Sequence, residues 1–242
     1  FLRVLRDSLF AASGGSNLLL PRQNLSALLP DAALAWLAQQ GGVLRLGVRV
    51  QSIMAANSAA HSGWLINTAN SRETFERVIL ACPPNEAARL VESAAVAADD
   101  WLAQARRLQP EALCTVYAQA PGVRLKQAML ALRAGPNEPA QFVFDKGQLN
   151  GPAGLLAFVI SASTGDSATL TEQVLAQAAR QLGLNDLQPV QTIVEKRATF
   201  ACTPDLKRPA TRIAPGLLAC GDYVAGPYPA TLEGAVRSGL AA

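Results

Sequence analysis

The chain has 242 residues, half of them hydrophobic and 16% charged, which excludes a disordered polymer and leaves room for one large domain or two small ones. Its net charge of +3 comes from Lys and Arg scattered along the sequence, with no basic run long enough to follow a phosphate backbone, so nucleic acid is not an expected partner. The longest apolar run, Gly154 to Ile160, falls far short of the roughly 20 residues a spanning helix needs, and no leader pattern opens the chain; the expected place is the cytoplasm, in solution or resting on a membrane surface.

Taken in order, Leu25, Leu28, Leu29, Leu34, Trp36 and Leu37 recur at helical spacing, with Pro30-Asp31 suited to a first turn and Gly41-Gly42 to a stop. From Val43 to Ile53 the period becomes that of a strand, and two further runs, Trp64 to Thr68 and Phe75 to Ala81, complete a predicted β-meander ending at Cys82-Pro83-Pro84. Helices are predicted over Pro84 to Val91 and Trp101 to Leu108. Strands follow at Leu113 to Gln119, Ala128 to Leu132, Gln141 to Phe144 and Leu155 to Ser161, a succession that suggests an antiparallel sheet. A helix from Asp166 or Ser167 to Leu182 shows one apolar face and a glycine stop at Gly183. A strand from Val190 to Phe200, a Pro-punctuated loop, the short strand Gly216 to Cys220 and a helix beginning near Thr231 finish the chain.

Cys82, Cys114, Cys202 and Cys220 are widely spaced among apolar neighbours and form no C-x-x-C pair, so they read as reduced, packed thiols at strands or strand ends and no metal site is expected. The single histidine, His61, sits before Ser-Gly in a turn-like stretch and supports neither a triad nor a zinc site.

The stretch Gly216 to Ala241 carries most of the chemistry. At a strand end, Gly221 lets a ligand approach the backbone and Asp222 accepts hydrogen bonds from hydroxyls. The helix opening at Thr231-Leu232 offers free N–H groups to an anionic oxygen. Taken alone, Gly-Asp is also a common turn. The whole of Gly216-Leu-Leu-Ala-Cys-Gly-Asp222 followed by Tyr228-Pro-Ala-Thr-Leu-Glu-Gly-Ala-Val-Arg-Ser-Gly239 resembles the C-terminal FAD motif of the amine-oxidase and phytoene-desaturase superfamily. Upstream, Gly41-Gly42 through Ile53 and Arg77-Val-Ile-Leu-Ala-Cys-Pro-Pro84 resemble a second shared region. There the resemblance puts the strand carrying Val50 beside the adenine through backbone groups and the Pro83-Pro84 turn near the cofactor. More narrowly, Leu19 to Ala33, Gln141 to Gly147 and Glu195 to Phe200 are similar to hydroxysqualene dehydroxylases of bacterial hopanoid pathways.

The resemblance implies an FAD-dependent oxidoreductase that reductively removes an allylic hydroxyl from hydroxysqualene to give squalene. That chemistry needs a proton for the leaving oxygen, aligned hydride and a dry apolar sleeve. Asp145, Glu195 and Tyr228 are candidate proton donors without an order among them, and Lys196 and Arg197 are either site cations or exposed strand charges. Phe142, Phe144, Leu155, Leu156, Phe158 and Ile160 either line the sleeve or fill a core. Val50, Pro83, Gly221, Asp222, Thr231 and Leu232 are the cofactor residues implied. A carotenoid-type desaturase and an FAD amine oxidase, with Tyr223 and Tyr228 as its aromatic pair, stay open, as does a non-catalytic α+β binding protein.

The implied fold is mixed α+β and α/β: the remnant of an FAD-binding Rossmann-like domain (strand, meander, C-terminal strand and helix) plus an antiparallel-sheet-and-helix substrate domain. The expected divisions are a linker or substrate-domain helix over 1–23, an FAD-domain part over 24–84, a substrate domain over 85–200 and the C-terminal FAD-domain strand and helix over 201–242. None of the 18 glycines is two residues from another, so a G-x-G-x-x-G fingerprint is not present, and the apolar patterns running into both ends read as cut. The expectation is therefore a C-terminal fragment that binds FAD weakly or not at all and is inactive by itself. An isoprenoid hydrocarbon is the expected substrate, with peripheral contact at the inner face of the cytoplasmic membrane and homodimerisation through an exposed sheet edge as the expected associations.

Overall fold

The computed structural model describes residues 2–58 and 61–242, without the side chains of 57, 58, 61 and 62. Helices α1 (Leu2–Leu9), α2 (Leu25–Leu28) and α3 (Pro30–Gln39) come first. Strands β1 (Ser52–Ser58), β2 (His61–Asn67), β3 (Arg72–Phe75) and β4 (Val78–Leu80) follow, then α4 (Pro84–Ser93) and α5 (Asp99–Arg107). Next are β5 (Pro110–Gln119), β6 (Met129–Ala131), β7 (Phe142–Asp145), β8 (Leu155–Ser161), α6 (Ser167–Leu182) and β9 (Gln188–Phe200). The chain closes with β10 (Arg212–Ala214), β11 (Leu217–Ala219) and α7 (Leu232–Ala241). The mixed helix-and-strand class expected from sequence is the class observed.

Two compact units divide the chain: residues 1–16, 45–109 and 200–242 form one, and residues 17–44 and 110–199 the other. Helices α4 and α5 thus belong with the meander, although the expected boundary fell at 84. The reason is packing: Ala87, Ala88, Leu90 and Val91 of α4 and Trp101 and Ala105 of α5 share a core with Ile53, Trp64, Val78, Leu80, Leu217 and Ala219. Likewise residues 24–44, expected with the meander, fall in the second unit.

In the first unit β1, β2 and β3 make an antiparallel meander, while β4 lies parallel to β11, with β10 antiparallel on its far side. Two expectations change here. The single strand expected over Phe75 to Ala81 is two strands in two sheets, because the chain switches partners at Glu76-Arg77. Gly216 sits at that switch with φ +75°, its carbonyl accepting from the Val78 N–H at 2.8 Å, and a Cβ there would lie 2.9 Å from the Glu76 oxygen and 3.0 Å from Trp64 Nε1. The strand expected from Val43 begins only at Ser52. Leu44, Leu46 and Val48 alternate but are 50%, 79% and 47% exposed; they belong to no described sheet, and Gly47 turns at φ +70°. His61 begins β2 and is not a turn residue; its side chain lies outside the described residues.

In the second unit the strand order is β6-β7-β8-β5-β9, and the pairs β6–β7, β7–β8 and β8–β5 are antiparallel. Cross-strand neighbours Val116, Phe158 and Val143 share the inner face with Cys114, Ile160, Ala118 and Leu156, under Leu170, Val174 and Ala178 of α6. Full burial of each large apolar side chain stabilises this layer by ~2 kcal/mol. Helix α6 starts where Asp166 accepts the Ala168 and Thr169 N–H groups at 3.0 and 2.9 Å, and stops at Gly183 in the left-handed conformation at φ +70°. Its one buried polar residue, Gln177, accepts from the Ala140 N–H at 3.0 Å and donates to the Arg133 and Ala140 carbonyls at 3.0 and 2.9 Å.

Candidate functional site

In a parallel sheet flanked by helices, ligands gather at the carboxyl ends of the strands, where following loops and helix N-termini converge. Strands β4 and β11 supply such an edge. Leu80 pairs with Ala219, and the Cys220 N–H donates to the Leu80 carbonyl at 3.1 Å, so Cys82-Pro83 and Gly221-Asp222 leave the sheet side by side. Pro83 is the residue before α4, its carbonyl accepting from Glu86 and Ala87 N–H at 3.0 and 2.9 Å. Burial pushes the Cys82 and Cys220 thiols up from their ordinary pKa.

Gly221 is required where it stands. At φ +155° a Cβ would lie 2.7 and 2.8 Å from two carbons of the Tyr223 ring. Its N–H donates to Ser238 Oγ of α7 at 2.8 Å, and that hydroxyl lies 3.0 Å from the Gly221 carbonyl and 2.7 Å from that of Ala235. Asp222 is half-buried; burial raises its pKa, opposed by its own and the Tyr223 N–H and by the Arg208 charge. Arg208 grips the same loop, donating to the carbonyls of Asp222 at 3.3 Å, Val224 at 2.7 Å and Gly226.

Thr231 caps α7: its hydroxyl accepts the Gly234 N–H at 3.0 Å and donates to the Tyr228 carbonyl at 2.8 Å. The N–H groups of Leu232 and Glu233 have no protein partner among the described residues. The Glu233 carboxylate is drawn along the helix by Arg237 at 2.6 Å. A Cβ on Gly234 would lie 1.9 Å from the Tyr228 oxygen, so this turn closes only around glycine.

Val50 is half-buried against the same core, and its carbonyl accepts from Arg89 at 3.1 Å while that of Gln51 accepts from the other arm of the guanidinium at 2.7 Å. Glu86 holds Arg89 at 3.1 Å and Arg49 at 3.0 Å. Pro83, Gly221 and Asp222 are thus brought together at the strand ends, with Thr231 and Leu232 on the helix tied to them through Ser238, and Val50 anchored to α4.

Of the three candidate proton donors, Asp145 and Glu195 belong to the second unit and Tyr228 to the first. Asp145 is 1% exposed at the end of β7, accepting from the Leu125 N–H at 3.0 Å and Gln148 Nε2 at 2.8 Å. Burial alone would raise its pKa, but these bonds with those from the Gln148 and Gly147 N–H groups hold the carboxyl below its usual range. An enclosed, ionised carboxylate anchors a loop and has no proton to give. Glu195 is on an exposed part of β9 and accepts from the Arg197 N–H at 3.2 Å; Lys196 and Arg197 are exposed there too. Tyr228, in the other unit, donates its hydroxyl to Asp7 beneath Arg237, whose guanidinium lies 5.2 Å from the ring centre. The Asp7 bond raises the phenol pKa, and the Tyr228 bond holds the Asp7 carboxyl down. Tyr223 is 1% exposed in the core, with its hydroxyl unpartnered among the described residues, and so presents no ring face to a ligand.

Of the sleeve candidates, Leu156, Phe158 and Ile160 are core, whereas Phe142, Phe144 and Leu155 are on the more open face of the sheet. Sequence reasoning missed Arg89, Arg208 and Ser238. Each acts by hydrogen bonds to backbone 14 to 39 residues away in the chain, a relation that no local motif announces.

The chain is 28% identical to a hydroxysqualene dehydroxylase of Rhodopseudomonas palustris over 98% of its own length, and 26% identical to one of Sinorhizobium fredii, again over 98%. It spans about half the length of these curated relatives, 54% in each case. An oxidoreductase structure from Methanosarcina mazei superposes with a TM-score of 0.66 at 15% identity, covering 87% of this chain and 52% of that one, which shows a shared fold. The profile of the flavin containing amine oxidoreductases matches residues 7–242, and the chain belongs to that family.

Proposed function

We propose that this chain supplies the second half of an FAD site in an enzyme that reductively dehydroxylates hydroxysqualene to squalene. The observation that carries the reading is the meeting of Pro83, Gly221 and Asp222 at the carboxyl ends of two parallel strands, beside the Thr231-capped start of α7. The residues fit the cofactor. The unpartnered N–H groups of Leu232 and Glu233 suit an anionic oxygen, and a half-buried Asp222 whose pKa burial has raised gains from hydroxyl donors of a polyol. These 242 residues hold no G-x-G-x-x-G, so the contacts are proposed as part of a site, and this chain is expected to bind FAD weakly.

When bound, a reduced flavin supplies hydride. In the net reaction the allylic carbon–oxygen bond breaks, a carbon–hydrogen bond forms and the oxygen leaves with a proton as water. The chain's own part is to fix the cofactor through Gly221, Asp222 and the α7 N-terminus, and to offer the hydrocarbon a dry wall. The open face of the five-stranded sheet suits that role: cross-strand register groups Phe144 with Ala157 and Tyr117, and Phe142 with Val159. The hydroxysqualene relatives favour this substrate over an amine, and the burial of Tyr223 removes the aromatic pair that an amine oxidase reading invoked.

The test is anaerobic addition of hydroxysqualene to the flavin-loaded, reduced protein containing this chain. Return of the oxidised flavin absorbance with stoichiometric squalene is expected. Reoxidation by an amine-derived imine or a polyene precursor alone would replace the reading.

A further inference from the structure

The face of the five-stranded sheet turned away from α6 is divided by strand into an apolar part and a hydroxyl-bearing part. Side chains alternate along a strand, and Cys114, Val116 and Ala118 of β5 are buried in the core with α6, so Thr115 and Tyr117 lie on the opposite face. Register orders that face into rows. Phe144, Ala157 and Tyr117 form one across β7, β8 and β5, and Phe142, Val159 and Thr115 form the next. The members from β7 and β8 are all apolar, whereas both members from β5 carry a hydroxyl. Tyr117 and Thr115 are half-buried, yet neither hydroxyl has a protein partner among the described residues, and neither oxygen is enclosed by protein. Other polar groups of the same layer are committed: Gln177 bonds to three backbone groups, and the Thr171 and Thr192 hydroxyls lie 2.6 Å apart.

We infer that Tyr117 is the specificity-determining residue that recognises the hydroxyl of the hydrocarbon substrate, its phenol donating to the substrate oxygen while the chain of that substrate lies over Phe142, Phe144 and Val159. The inference rests on the proposed reading of the substrate as a hydroxylated isoprenoid and deepens it by naming the residue that tells the alcohol from its hydrocarbon product. Tyr117 takes this part ahead of Thr115 because its ring carries the hydroxyl clear of the backbone, whereas Thr115 Oγ1 stays close to the strand. Both groups in the two rows are neutral, which suits an alcohol and gives an ammonium no counter-charge. A hydroxyl with no protein partner is also the right device for discrimination. It gains a hydrogen bond from a ligand that carries oxygen, and against a pure hydrocarbon it must lose water without replacement.

The experiment is equilibrium binding of radiolabelled hydroxysqualene and of squalene, each delivered from cyclodextrin, to the full chain without flavin. The parent is expected to bind hydroxysqualene about tenfold more tightly than squalene, the worth of one hydrogen bond. Tyr117→Phe should bring the two affinities within about twofold by weakening hydroxysqualene and leaving squalene unchanged. The ring is kept, so circular dichroism and the urea midpoint of the variant should match those of the parent, which separates lost recognition from lost folding. Equal affinity of the parent for the two ligands, binding of neither, or a preference that survives Tyr117→Phe would overturn the inference. The flavin-loaded protein containing this chain separates the two readings. Squalene formation with a KM unmoved by Tyr117→Phe would sink the role of Tyr117 and keep the reaction, while a hydroxyl preference lost in the variant without any turnover by the parent would support Tyr117 and count against the reaction.

Discussion

Removing the Asp145 carboxylate tests whether this residue anchors a loop or moves a proton. The carboxylate accepts from Leu125 N–H at 3.0 Å and from Gln148 Nε2 at 2.8 Å, and Gln148 in turn donates to the Leu125 carbonyl at 2.9 Å. Hydrogen bonds to a charged acceptor contribute roughly 1.5–3 kcal/mol each, and buried donors left unpaired cost about 1–3 kcal/mol. Asp145→Ala, which takes the charged acceptor away from the Leu125 N–H and its neighbours at once, should therefore destabilise the protein by about 3 kcal/mol in urea unfolding at pH 7. Asp145→Asn keeps one acceptor and should cost about 1–2 kcal/mol. The folded carboxyl is held below its ordinary pKa, so its stabilisation is fully present above the unfolded value of about 4 and is lost as pH falls through the folded one. The gap between wild type and Asp145→Asn should be constant from about pH 7 to 5 and narrow below about pH 4. A gap under about 0.5 kcal/mol at pH 7, or one that widens on acidification, would refute the anchoring argument.

Thr231→Ala removes the α7 cap and should cost about 1 kcal/mol of stability by denaturant titration, most of it recovered in Thr231→Ser. Gly234→Ala gains about 1 kcal/mol of helix propensity but must relieve a 1.9 Å approach to the Tyr228 oxygen, so a net loss of Tm is expected. Arg208→Ala should open the loop over 222–226 to limited proteolysis, and Arg208→Lys should not restore it, since one ammonium cannot span three carbonyls as the planar guanidinium does. Iodoacetamide at pH 7.5 should label the exposed Cys202 first, the half-buried Cys82 and Cys220 slowly because burial raises their pKa, and the buried Cys114 last; peptide mass spectrometry reads the order.

Local signals were readable where local physics decides. Asp166, the apolar face through Leu170 and Val174, and Gly183 are a cap, a stripe and a stop, and α6 spans Ser167–Leu182 as they predict. The helix start near Thr231 was readable as well, and α7 begins at Leu232 with Thr231 as its cap. The alternation from Val43 to Ile53 misled because period two describes a chain that could pair, while a strand exists only where a partner does. The Phe75 to Ala81 run misled for a related reason: its division between two sheets is set by Gly216 and Trp64, far along the chain. At the site, Gly221 and Asp222 stood out as residue types, yet the groups that fix them did not. A serine in a helix and an arginine in a Pro-rich loop are unremarkable until folding brings Ser238 and Arg208 to the strand end.

Those two residues bear on how the strand end is held. Ser238 joins the second turn of α7 to the Gly221 peptide, so the helix start and the strand end move as one piece. Arg208 draws the carbonyls of Asp222, Val224 and Gly226 toward one planar group, so these acceptors are committed within the loop, as the Gly221 peptide is to Ser238, while the first-turn N–H groups of Leu232 and Glu233 have no protein partner among the described residues. A cradle held this way spends little ordering entropy when a ligand arrives, so the affinity it contributes depends on which contacts are present and not on loop closure. The same coupling explains why α7 can expose Leu232, Val236 and Leu240 and still be positioned: its face of small residues is committed to the strand end through Ser238.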